Sequence, residues 1–221
     1  MIYGCEHLMW APFAAETPEQ PGKLPAYGTP VELGALNKIT ETPAMNEAKG
    51  YGNNGLQEYV NKFKECVLAT EVTSLARADA SAIYGAKIES ETKKNLRFRS
   101  SDSPPYGGAG FVNNQVIGGK DCAVGVFYPK VKAMLQGVEY NTSGENITLA
   151  NTALQFTASA SLSTDWKIES PLFEDGEAGT GAEQALAWLK GMFDGTSTDI
   201  GKDQTEPASA PAKLSGKAGT V

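Results

Sequence analysis

The sequence predicts a mainly β protein, a β-sandwich or barrel-like fold with a short flanking α-helix and a second helix near the C-terminus. Three observations carry that expectation. Apolar and polar residues alternate with period two over several runs, which sends every second side chain to one face of a strand. Glycine and asparagine cluster between such runs, at "GNNG" (52–55) and "GGKD" (118–121), where hairpin turns need positive φ. Only two stretches give up the alternation for a helical pattern. The 221 residues suit one sizeable domain with appendages.

Taken in order, residues 11–30, "APFAAETPEQPGKLPAYGTP", hold five prolines and little hydrophobic periodicity. Together with the residues before them they predict an extended proline-rich arm over 1–30. "VELGALNKIT" (31–40) sets Val31, Leu33, Ala35 and Ile39 against polar partners except at Leu36, the pattern of a strand with one buried face. "AMNEAKGYGNNGLQEYVNKF", after Pro43, places two β-compatible segments around the "GNNG" turn and reads as a protruding hairpin. In "ECVLATEVTSL" (65–75), Cys66, Leu68, Thr70 and Val72 share a face. "SLARADASAIYG" (74–85) predicts a short helix with Ser74 as N-cap and Gly85 as its stop. "KIESETKKNLRFRSSDSPP" (87–105) gathers Lys87, Lys93, Lys94, Arg97 and Arg99, and reads as a solvated strand and loop ahead of a functional basic patch.

The best-formed hairpin follows, "GGAGFVNNQVI" and "CAVGVFYPKVKAML" on either side of "GGKD". On the second strand Ala123, Gly125, Phe127, Val131, Ala133 and Leu135 form one face. Val124, Val126, Tyr128, Lys130 and Lys132 form the other, so burial on that side ends partway along. Pro129 falls at the change, and a proline without an amide predicts an edge or a bulge there. Further on, Leu154, Phe156, Ala158, Ala160 and Leu162 alternate with Thr and Ser in one of three more strand candidates between 145 and 173. In "TGAEQALAWLKGMF" (180–193) Thr180 and Glu183 form a capping box, and Leu186, Leu189 and Phe193 fall on one side of a helix. The domain is therefore expected over 31–194, with a polar tail over 195–221.

Composition narrows the chemistry. A formal charge of −7 argues against a grip on nucleic acid, because affinity for phosphate needs clustered Lys and Arg. Cys5, Cys66 and Cys122 are too few and too widely spaced for a disulfide framework or a paired-ligand zinc site, and reduced thiols in an intracellular product are expected. No stretch approaches membrane-spanning length. The single histidine, His7, leaves no second imidazole for a metal cluster and reads as structural. "GGAG" (107–110) and "GTGAEQ" (179–184) do not complete a dinucleotide fingerprint, and Glu174 with Asp175 is one acidic pair on an acidic surface. Trp166 and Trp188 are expected in the core. The reading is of a protein that is not an enzyme and has no catalytic, cofactor or metal site.

The order "AKGYGNN", "EYVNKFKECVLATEVTSL", a short helix ending at Gly85, "PPYGGAGFV", "VGVFYPKVKAM" and "ALQFTASASLSTDW" resembles the major tail tube proteins of long-tailed bacteriophages and prophages, over about residues 30–193. The resemblance implies six copies per ring, rings stacked into a hollow tube, and inner strands joined into a continuous barrel around a DNA channel. It implies no cofactor. The implied partners are further copies of the chain, the tape measure protein, the tail terminator and the tail-tip or baseplate proteins. DNA would pass through the lumen without sequence-specific binding, and no membrane is involved. The implied location is the virion tail, with the host cytoplasm during assembly. On this reading Lys49, Tyr51, Asn53 and Asn54 at the hairpin tip contact stacked rings. Lys130 and Lys132 pair with carboxylates of an adjacent copy, Glu139 or Glu145. The competing readings are another β-rich virion component, such as a terminator or decoration protein, and a carbohydrate- or receptor-binding sandwich.

Overall fold

A computed structural model of the chain describes residues 1–14, 19–52, 55–89, 95–138, 151–176 and 179–195. The protein is mainly β, one large antiparallel sheet with two helices. Seven strands follow the order β2–β1–β7–β8–β9–β4–β3, and β10 and β11 pair with β8. Their ranges are β1 Ile2–Pro12, β2 Val31–Glu32, β3 Leu36–Gly52, β4 Gly55–Val72, β7 Tyr106–Ile117, β8 Lys120–Met134, β9 Thr152–Ala158, β10 Ile168–Glu169 and β11 Phe173–Glu174. A separate small hairpin joins β5 (Lys87–Ile88) to β6 (Leu96–Arg97) in the polar stretch. The helices are α1, Arg77–Tyr84, and α2, Gly181–Asp194.

The sheet rolls until β3, at one end of the order, comes alongside β1 near the other. Alternation decides what the roll encloses. Leu8 and Trp10 of β1, Cys66, Leu68 and Val72 of β4, Phe111 of β7, Tyr128 of β8 and Phe156 of β9 all enter one core, which α1 caps through Ile83 and Tyr84. The other face of β1, β7 and β8 is covered by α2. Met9, Ala11 and Phe127 meet Leu189, Met192 and Phe193 there, and each large buried side chain contributes about 2 kcal/mol of transfer free energy.

Two glycines of this hairpin, Gly110 of β7 and Gly125 of β8, are explained by this second layer. A Cβ at Gly110 would run into Leu189 and stand 2.6 Å from the Val126 carbonyl oxygen, and one at Gly125 would stand 2.6 Å from the Trp188 ring. The strand is shaved so that α2 can lie flat on it. The expected capping box is present: the Thr180 hydroxyl accepts from the Glu183 amide, and the Glu183 carboxylate accepts from the Thr180 amide at 3.0 Å. The β7–β8 turn is Gly118–Gly119, with φ of 60° and 82°.

Pro129 stands where the edge-or-bulge expectation put it. Its strand pairs with β10 at Val126 and Phe127 and with β9 from Val131 onward, so the proline falls between two partners. On the β7 side the register steps between Gly107 and Ala109 at the same level.

Three expectations need correction. Residues 2–12 of the expected arm form β1, an inner strand between β2 and β7. Its run Leu8–Ala11 is buried on both faces, so it shows no alternation to read. The rest of that segment folds back: Phe13 bridges Tyr27, and the Tyr27 hydroxyl donates to the Pro129 carbonyl at 2.7 Å. Second, the N-cap of α1 is Ala76 without a side-chain cap, in place of Ser74, while Gly85 closes the helix at φ 68° as expected. Third, the alternation from Leu154 stops at Ala158, and Leu162 is exposed. The expected tail lies outside the described residues except for Gly195.

Candidate functional site

The most distinctive surface is made by β3 and β4. They pair along their whole length, from Leu36↔Val72 to Gly52↔Gly55, but β9 accompanies β4 only over Cys66–Val72. Beyond Met45↔Phe63 the pair continues alone as a two-stranded ribbon about 25 Å long at ~3.4 Å per residue. Neither outer edge of this ribbon pairs with another strand among the described residues. It carries exposed Met45, Tyr51, Tyr59 and Val60, and Phe63 at its base stacks on Trp166 with centroids 4.4 Å apart. Lys49 holds Glu47 at 3.9 Å and lies 5.7 Å from the centre of the Tyr59 ring. Lys49 and Tyr51 are thus on the ribbon as expected, whereas Asn53 and Asn54 lie outside the described residues. Alternation alone did not reveal how far the pair projects, because that depends on where β9 stops.

The two lysines of β8 differ in their partners within the chain. Lys130 makes an ion pair of 2.8 Å with Glu19 of its own chain, and both side chains are about four-fifths buried. Within the chain, the Lys130 charge fastens the returning N-terminal segment. Lys132 donates to the Ser103 hydroxyl at 3.4 Å and has no carboxylate partner among the described residues. Both ammonium groups flank Tyr106, at 5.0 and 5.1 Å from the ring centre. Glu139 and Glu145 lie outside the described residues.

A cleft of about 480 Å³ opens where β1 and β3 approach without forming a ladder. Ile2, Cys5, Ile39 and Phe111 line it, with Glu41 and Lys167. Lys167 bridges Glu41 at 2.8 Å and Glu169 at 2.9 Å. Burial pulls the Lys167 ammonium down, but hydrogen bonds to the two carboxylates outweigh it and leave its pKa raised. The edges around the cleft are blunted. The β1 ladder to β7 is broken by irregularities between Ile2 and Gly4 and between Glu6 and Met9, and His7 takes φ 56° in the second.

The remaining candidates are absorbed by structure. His7 Nδ1 lies 2.9 Å from the Glu32 carboxylate and ties β1 to β2. Glu174 pairs with Lys120 at 2.7 Å, and Asp175 accepts from the Gly181 amide at the start of α2. Cys66 and Cys122 are buried thiols, and Cys5 is partly buried. Trp166 and Trp188 are partly buried against the core, and Trp10 is the tryptophan fully inside. No group of three or more His, Cys, Asp or Glu among the described residues is arranged to hold a metal. No helix among them is long and apolar enough to cross a membrane. Compared with known protein families and with curated proteins, the chain matches none.

Proposed function

We propose that copies of this chain assemble into stacked hexameric rings that form the tail tube of a long-tailed bacteriophage, a hollow conduit for DNA. The observation that carries this reading is the β3–β4 ribbon, whose two long edges have no partner strand among the described residues. A strand edge left open over many residues is an invitation to pair, and proteins that do not use one blunt it. The ribbon has bulges of its own, at Ala44/Met45 and Gly50/Tyr51, but its edges run on past the body. Pairing β3 of one ribbon with β4 of the next repeats the antiparallel order of the sheet. This contact is head-to-tail, and it closes into a ring. The ribbons then form the wall of the channel, and the tip with Lys49 and Tyr51 reaches the next ring. The tape measure, terminator and tail-tip or baseplate proteins are the partners this role requires, in the virion tail after assembly in the host cytoplasm.

Electron microscopy of concentrated purified protein tests the proposal. Long hollow filaments built of six-fold rings are expected. A sample that stays monomeric at every concentration and salt condition refutes it.

A further inference from the structure

The two faces of the ribbon are not equivalent, and the side-chain contacts at its base say how they differ. Cross-strand partners share a face, so Met45 with Phe63, Glu47 with Asn61, and Lys49 with Tyr59 lie together. Phe63 stacks on Trp166 and packs against the main core, which puts this face on the side of the body. The register confirms the continuity. Between Ala44↔Glu65 and Met45↔Phe63 one extra residue, Lys64, enters β4. That bulge keeps odd-numbered positions of β3 on the core side while moving β4 from its even positions, Cys66 and Leu68, to its odd ones. Asn46, Ala48, Gly50, Glu58, Val60 and Lys62 therefore face away from the body. They continue the outer surface of the sheet at Thr40, Thr42 and Ala69, which are exposed, whereas α2 packs on β7 and β8.

Resting on the proposed tube, we infer that this second face lines the channel. The bodies must lie outside the wall, and Trp166 marks the side on which the body lies. The chemistry suits a passing polyanion. Glu58 and Lys62 are its charged members, of opposite sign, so each copy adds no net charge to hold phosphates. Ala48, Gly50 and Val60 offer no side-chain hydrogen bond to a base or a phosphate.

Single cysteines test the assignment. Ala48→Cys and Val60→Cys sit on the inferred channel face, two independent positions in case one impairs assembly, and Asn61→Cys sits on the opposite face. The unsubstituted protein gives the background from Cys5, Cys66 and Cys122. Each variant is treated, free and in tubes, with a small maleimide and with a maleimide on a polymer too large to enter the channel. In the free protein all three new thiols react with both reagents. In tubes, thiols at 48 and 60 lose reaction with the large reagent and keep it with the small one, and the thiol at 61 does not show that selectivity. Small-only labelling at 61, or unchanged labelling by the large reagent at 48 and 60, overturns the inference and leaves the tube standing. Absence of tubes from the unsubstituted protein removes the proposed function, and the inference with it.

Discussion

Lys130 and Lys132 are two positions apart on one strand and flank one tyrosine, yet among the described residues only the first has a carboxylate partner. Their substitutions should separate cleanly. Lys130→Glu sets a second carboxylate against Glu19 in a mostly buried place and should cost about 2 kcal/mol, whereas Lys132→Glu should cost under about 0.5 kcal/mol. Urea denaturation of the two variants measures the difference, and equal losses would refute the assignment of Glu19 as the partner. Tyr27 gives a second test at this scale. Burial, with the Glu19 charge nearby, holds its phenol well above the ordinary tyrosine value near 10. A raised folded-state pKa stabilises fully below the unfolded value and is lost as pH climbs past it. The unfolded chain ionises from about pH 10, and stability should then fall by about 1.4 kcal/mol per pH unit for each such tyrosine. Tyr128, raised in the same direction by burial, adds to the slope. Tyr27→Phe should flatten the alkaline fall while lowering stability near neutrality, where its bond to the Pro129 carbonyl is lost.

At the scale of elements, α2 depends on a smooth strand beneath it and on its own first turn. Gly110→Ala drives a methyl group into Leu189 and the Val126 carbonyl, so α2 must lift. A loss of about 2 kcal/mol is expected, read by thermal unfolding and by a changed near-ultraviolet signal from Trp188. Thr180→Ala removes the capping box and should cost about 1 kcal/mol without changing that signal. Pro43 acts on the other large element. It pairs with Cys66 inside the β3–β4 ladder, and a proline survives in a strand only where its missing donor faces away from the partner. The outer edge of β3 is thereby interrupted where the body ends and the ribbon begins. Pro43→Val should leave the monomer folded but let lateral pairing run on into the body. Micrographs should then show irregular aggregates, and normal uniform tubes from this variant would remove the edge-stop role.

For the whole molecule, replacing residues 48–60 by Asn-Gly should abolish self-association in sedimentation velocity. The melting temperature should stay within a few degrees, because none of the described residues among them takes part in the core. How much of this was legible in the sequence follows the range of the interactions. Turns and caps are local, so Gly118–Gly119, Gly85 and the pair Thr180 and Glu183 were readable. Half-buried strands such as Cys66–Val72 announce themselves by alternation. Strand β1 did not, because Leu8–Ala11 is buried on both sides and the prolines that follow mimic an arm. The Lys130–Glu19 pair spans 111 positions, and no pattern within either segment hints at the other. The reach of the ribbon was hidden for the same reason, since it is set by where β9 leaves β4. One local detail carries a practical consequence: around Gly118 and Gly119 there is open space, with no atom near either added Cβ. A foreign epitope spliced between those two glycines would hang clear of the fold, and a repeating polymer of the chain would then present it at regular intervals as a vaccine scaffold.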